Sequence, residues 1–135
     1  MRILLTGATG FLGKWTLRLL LADPRIAQVI VVSRFKSSHP DPRVRVIRKD
    51  LSDPSLLNHV TEPVDTAIHL AGLYRFGSSY ADNYESNVLG TQTVLDALRR
   101  FAPSRILFAS TYAVGIGLDH LPNRSLDQLP PREHA

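Results

Sequence analysis

This chain has no cysteine. A disulfide framework and a cysteine-based zinc site are therefore excluded. No apolar run approaches the ~20 residues that a bilayer-spanning helix needs. The chain opens on Met1-Arg2-Ile3-Leu4-Leu5-Thr6, a strand-like run and not a charged leader with a cleavage site. No signal peptide is read, and a cytoplasmic setting is the expectation. No repeat of solenoid type occurs. Basic residues outnumber acidic ones by 16 to 12, giving a net charge of +4. They are scattered, and the densest cluster, Arg43, Arg45, Arg48 and Lys49, has no interleaved aromatics. That arrangement argues against nucleic acid as a partner.

The 135 residues suffice for one domain with a real core, and 44% hydrophobic with 21% charged residues is ordinary for a globular protein. The most informative stretch is Gly7-Ala8-Thr9-Gly10-Phe11-Leu12-Gly13, with glycine at every third position. It follows the apolar opening run and precedes a helical pattern in which Leu12, Trp15, Thr16, Leu19 and Leu20 share one side. Strand, glycine turn and helix in this order are the layout of a dinucleotide pyrophosphate site. Glycines let the backbone approach phosphates, and the free amides of a helix start attract anions. The same pattern also suits a strand-to-helix turn that simply needs glycine. Trp15 is expected in the core.

Asp23-Pro24 breaks the first helix, and residues 28–33 read as a buried strand, uniformly apolar as parallel strands are. Val44, Val46 and Ile47 mark a third strand, and its alternating arginines suit an edge. Asp53 and Pro54 open a short helix through Val60. Residues 65–70 form a fourth strand, and a loop rich in glycine, serine and aromatics follows. Ser79-Tyr80-Ala81-Asp82 has the form of a capping box. The longest helix runs from about 80 to 100, with Tyr84, Val88, Thr91, Leu95 and Leu98 at helical spacing. A fifth strand covers 105–110, and beyond Leu118 no periodic element is seen. Alternating strands and helices predict an α/β fold, a doubly wound parallel sheet in the order 3-2-1-4-5. Residues 1–117 form the domain, and 118–135 an irregular C-terminal segment. Ligand is expected across the carboxyl ends of the strands, at the switch between the first and fourth.

Those strand ends carry a resemblance. Thr6 to Gly13 is similar to the T-G-x-x-G-F-x-G opening of the extended short-chain dehydrogenase/reductase family. Asp50-Leu51 after the third strand, His69-Leu70-Ala71-Gly72 after the fourth, Asn87-Val88-Leu89-Gly90-Thr91 in the long helix and Ser110-Thr111 after the fifth follow in the family's order. Together they cover nearly the whole chain. The resemblance implies a Rossmann-like domain and a dinucleotide coenzyme held by Gly7, Thr9, Gly10, Phe11, Leu12, Gly13, Ser33, Arg34, Asp50, Leu51, Leu70, Ala71, Gly72, Asn87 and Ser110. It also implies that Thr111 orients the substrate oxygen and Ser110 lines the nicotinamide side, and with no cysteine and no paired histidines a metal-free site is expected.

Several of these residues admit a second reading. Asp50 suits an adenine contact, as the resemblance implies, or a loop cap. His69 reads as a packed core histidine, since no partner histidine stands at metal-site spacing. Asn87 suits a polar link beneath the cofactor site or an exposed position. About twenty residues beyond the glycine turn, where an acid usually meets the 2′-hydroxyl of NAD, stand Ser33-Arg34, with Lys36 close by. A guanidinium suits a 2′-phosphate, so NADP is favoured, with NAD possible.

The resemblance further implies hydride exchange with a carbonyl or alcohol substrate, assisted by a tyrosine with a lysine four residues later. No tyrosine here has that lysine. The expectation is a chain truncated before the catalytic helix and inactive alone, with a small-molecule substrate in the complete enzyme. A homodimer through the 80–100 helix is expected. Acyl-thioester or bulky alcohol and ketone substrates are favoured. A nucleotide-sugar epimerase or dehydratase is an alternative, as are a non-catalytic NADP sensor and a plain scaffold.

Overall fold

A computed structural model describes residues 1–35, 38–75 and 77–110. The elements are β1 (Arg2–Thr6), α1 (Phe11–Ala22), β2 (Gln28–Ser33), β3 (Val44–Arg48), α2 (Leu56–His59), β4 (Thr66–His69), α3 (Tyr80–Asn83), a π-helical segment (Tyr84–Leu89), α4 (Gly90–Arg99) and β5 (Arg105–Phe108). The sheet runs β3-β2-β1-β4-β5, every pair parallel. This is the expected doubly wound, Rossmann-like order, with the switch point between β1 and β4. The expected boundary at 117/118 lies outside the described residues.

The apolar strands β1 and β2 are buried on both faces, whereas the apolar edge strand β5 is exposed. On one face Leu4, Ile30, Val32 and Ala67 pack with Leu56 and Val60 of the α2 region and with Val94, Ala97 and Leu98 of α4. On the other, Ile3, Leu5, Val29 and Val31 pack with Leu17, Leu20 and Leu21 of α1. Arg43 and Arg45, at the β3 edge, pair with Asp41 and Glu62. Asp53 Oδ1 accepts the Ser55 amide at 2.8 Å, but α2 starts later than Pro54, with Ser55 at its N-terminal cap and no side-chain cap hydrogen bond. At Ser79 the capping box is complete: its hydroxyl accepts the Asp82 amide, and the Asp82 carboxylate accepts the Ser79 amide.

The helix faces correct two expectations. Trp15 is not core; it is 56% exposed, with Leu12 and Leu19 beside it. In the long helix Tyr84, Val88 and Leu95 face outward, while Gly90, Val94, Ala97 and Leu98 are buried. The physical reason is the same in both. Each helix approaches its neighbours through small residues, which bring the backbone closer than large ones would. Gly13 packs on the glycine turn, and a Cβ on Gly90 would stand 3.2 Å from Leu51 Cβ. The helical spacing placed Leu20 and Leu98 on the core side correctly, and Trp15, Tyr84, Val88 and Leu95 wrongly.

Candidate functional site

The sheet register sets the site. At the carboxyl ends Thr6 stands between Val32 of β2 and His69 of β4, with Arg48 opposite Ser33 and Phe108 opposite His69. The chain leaves β1 through Gly7, at φ +73°, a left-handed conformation that suits glycine. The Gly10 amide donates to the Gly7 carbonyl at 2.9 Å and closes the turn. Gly10 then caps α1 without a side chain, and no acidic residue lies in the helix's first turn. The amides there are left to an outside acceptor, with the positive end of the helix dipole behind them.

Opposite the turn runs the segment after β4. Gly7 lies against it so closely that a Cβ there would meet the Ala71 nitrogen at 2.7 Å. The Ala71 amide donates to Thr6 Oγ1 at 3.2 Å. The Leu73 amide donates to Asn87 Oδ1 at 2.6 Å, and Asn87 Nδ2 donates back to the Leu73 carbonyl at 3.1 Å. Behind this wall sits His69, buried and hydrogen-bonded to Thr6 and Thr91. Burial pushes its pKa below the usual histidine value. It is the packed core histidine the sequence predicts.

Between turn and wall lies an open cleft of about 210 Å³. Gly7, Thr9, Gly10, Leu70, Ala71 and Gly72 line its two sides, and Ser33, Arg34, Asp50 and Leu51 line its far end. A second cavity of about 480 Å³ adjoins it, sharing Arg34, Asp50, Leu73 and Ser86. Asp50 makes the loop cap of one reading and also lines the end of the cleft. Its Oδ1 accepts the Ser52 amide and hydroxyl, each at 3.0 Å, as a loop cap. Its Oδ2 faces the cleft end, 3.7 Å from the Arg34 guanidinium.

Five sequence-predicted residues stand outside the lining. Phe11 and Leu12 expose their side chains at the start of α1. Gly13 is buried against the turn. Asn87 has its amide committed to Leu73. Ser110 is exposed one residue beyond Ala109, whose amide donates to the His69 carbonyl at 3.0 Å. Thr111 lies outside the described residues. Lys49, Phe35, Leu73 and Ser86 also line the cleft and were missed. Only the fold brings them there, although Lys49 belongs to the basic cluster visible in the sequence. The Lys49 ammonium holds Asp53 at 3.0 Å, and with the Ser55 hydrogen bonds, the larger cause, lowers that carboxyl to about 2.

The residues fit a dinucleotide. An uncapped helix start suits a diphosphate, and the cleft runs on from it to a cationic end. Gly10 leaves room where a Cβ would come 3.3 Å from the Gly7 carbonyl. Among the described residues there is no cluster that could hold a metal ion, and no helix long and apolar enough to cross a membrane.

Comparison with known proteins agrees with this geometry. The D-erythronate dehydrogenase of Haemophilus influenzae is 35% identical over 94% of this chain and 42% of its own length. The 2-alkyl-3-oxoalkanoate reductase of Stenotrophomonas maltophilia is 34% identical over 90% of this chain and 39% of its own. A tyrosine-to-alanine mutant of the uronate dehydrogenase of Agrobacterium tumefaciens, solved as a complex with NAD, superposes with a TM-score of 0.68 at 27% identity, over 82% of this chain and 40% of that one. The chain thus spans about two fifths of the length of these relatives. The model of the NAD dependent epimerase/dehydratase family matches residues 3–133. This chain belongs to that family, whose members here are of the extended short-chain dehydrogenase/reductase type.

Proposed function

We propose that this chain is the coenzyme-binding portion of an oxidoreductase that moves hydride between a nicotinamide dinucleotide and a carbonyl or alcohol substrate. The observation that carries the reading is the cleft between the glycine turn and residues 70–73, which gathers ten of the fifteen predicted coenzyme residues. The bare amides at the start of α1 bind the diphosphate. Asp50 and Leu51 meet the adenine end, and Arg34 meets a 2′-phosphate, which favours NADP over NAD. The coenzyme supplies the hydride at its nicotinamide ring. Thr111 orients the substrate oxygen, and Ser110 lines the nicotinamide side. The two named relatives are a dehydrogenase and a reductase, which supports carbonyl and alcohol chemistry.

Nucleotide-sugar epimerase or dehydratase chemistry is the second reading, favoured by the family's own description. Both use the same coenzyme site. The protein acts in the cytoplasm and pairs through the outward stripe of the long helix.

No tyrosine here has a lysine four residues on, so the 135-residue chain is expected to bind coenzyme without turnover. Calorimetric titration with NADPH and NADH, with a carbonyl-reduction assay on the same sample, tests this. Binding with no NADPH oxidation is the expected result. Absence of binding to either coenzyme overturns the reading.

A further inference from the structure

The hydrogen bonds behind the cleft wall run in one direction. At one end the Ala71 amide only donates, and its acceptor is Thr6 Oγ1, 3.2 Å away. Thr6 Oγ1 lies 2.7 Å from His69 Nδ1. On the other side of the ring, His69 Nε2 lies 3.0 Å from Thr91 Oγ1. The Thr91 hydroxyl donates to the Asn87 carbonyl at 2.6 Å. Its proton is spent there, so Nε2 must carry the hydrogen of the next bond. Nδ1 of the neutral ring is then an acceptor, and Thr6 donates to it. One assignment satisfies all four links: Ala71 N–H to Thr6 O–H to His69, and His69 Nε2–H to Thr91 O–H to Asn87.

The surroundings agree with a neutral ring. Thr6, Thr91 and the stacked Phe108 ring, 5.4 Å away between centroids, face it. Burial alone holds its pKa down, and no charged side chain contributes. A second proton would turn Nδ1 into a donor and cost the ring its bond from Thr6.

Neither His69 nor Thr91 lines the cleft. The two ends of the relay nevertheless hold its wall. Ala71 is fixed at one end. At the other, Thr91 ties Asn87 within the π-helical segment, and Asn87 grips both backbone groups of Leu73. The π-helical segment sits where Asn87 makes this grip, an arrangement common at functional sites. Across the cleft, Gly7 rests directly on residues 70–71. Any shift of 71–73 therefore changes the distance from the wall to the phosphate-binding turn.

We propose that His69 and Thr91 are positioning residues for the coenzyme: the relay from Thr6 to Asn87 sets the spacing between the glycine turn and residues 71–73, and so sets coenzyme affinity without touching the ligand. This inference rests on the dinucleotide reading of the cleft.

The test compares wild type, Thr91→Val and Thr91→Ser. Valine keeps the shape and removes the hydroxyl, and serine keeps the hydroxyl. NADPH dissociation constants are measured by fluorescence well below each variant's melting temperature, and melting temperatures are recorded alongside. Thr91→Val should weaken NADPH about fivefold, the size of one net hydrogen bond, and Thr91→Ser should stay within about twofold of wild type. A folded Thr91→Val that binds as wild type does, however much its melting temperature falls, overturns the proposal. Should Thr91→Val fail to fold, the wild-type ring decides. Its ¹⁵N shifts should report a neutral His69 protonated at Nε2, and protonation at Nδ1 overturns the relay. A wild type that binds no coenzyme overturns the reading of the cleft itself. Equal binding by wild type and Thr91→Val overturns this proposal alone.

Discussion

Gly13 packs on Gly7 with no room between them: a Cβ on Gly13 would stand 2.6 Å from the Gly7 carbonyl carbon and 2.7 Å from Ala8 Cα. Those atoms are backbone and cannot swing aside. Gly13→Ala should therefore cost about 1–3 kcal/mol or more in urea denaturation, as overpacking does, and distort the turn. At Gly10 the nearest atom to such a Cβ is 3.3 Å away, so Gly10→Ala should fold with nearly wild-type stability. Its methyl group would enter the coenzyme cleft, and NADPH binding should weaken. Equal stability losses in the two variants would contradict this difference.

His69 gives a pH signature. Burial puts its folded pKa below the ordinary value of about 6.5. The unfolded chain therefore takes up the proton first as pH falls, and stability drops from about pH 6.5 downward until the folded pKa is passed. Above that range the group adds no slope. Asp23, hydrogen-bonded by Arg25, and Asp53, hydrogen-bonded by Ser55 and Lys49, lie at about 2 and stay ionised throughout this window. Urea midpoints taken from pH 7.5 to 5.0 should fall in the wild type, and His69→Gln should flatten the fall. A level wild-type profile contradicts the assignment.

Arg34 carries the proposed preference for NADP. Its guanidinium lies 5.2 Å over the Phe35 ring and 3.7 Å from Asp50. Both partners of that ion pair are substantially exposed, and such pairs contribute only ~0–1 kcal/mol. A 2′-phosphate therefore competes for the guanidinium with little to displace. Arg34→Ala should weaken NADPH about tenfold or more and NADH less than about threefold, on the scale of one charge-assisted hydrogen bond. Equal losses for both coenzymes would remove Arg34 from this role.

The stripe of Tyr84, Val88 and Leu95 is 39–48% exposed, on the side of the long helix turned away from the core. An apolar stripe of this kind suits a second copy. Sedimentation velocity should show a dimer, and Val88→Glu should shift it to monomer with little change in melting temperature. A monomeric wild type contradicts the pairing.

The sheet and the cleft were legible in the sequence for a simple reason. Buried parallel strands are apolar throughout, so 28–33 could be read directly, and the alternating valines and arginines of 43–47 marked an edge strand. Strand order then followed from alternation, and ten of the fifteen predicted coenzyme residues line one cleft. The helix faces were harder to read. Gly13, Gly90 and Ala97 carry almost no hydrophobic signal, yet they make the closest contacts. Trp15 and Tyr84 carry a strong signal and face outward. The π-helical segment has no periodic signature at all. The His69 relay was hidden for another reason: Thr6 and His69 are 63 residues apart in the chain, and only the register of β1 on β4 brings them together.

In the proposed reading, the amides at the start of α1 and the wall at 71–73 together hold a dinucleotide. Titrating ¹⁵N-labelled protein with NADPH and following backbone amide shifts tests it most directly. Saturable shifts should concentrate on the amides of Gly10, Phe11, Leu12 and Gly13, and on Ala71, Gly72 and Leu73. Saturating NADPH that leaves those amides unmoved would contradict it.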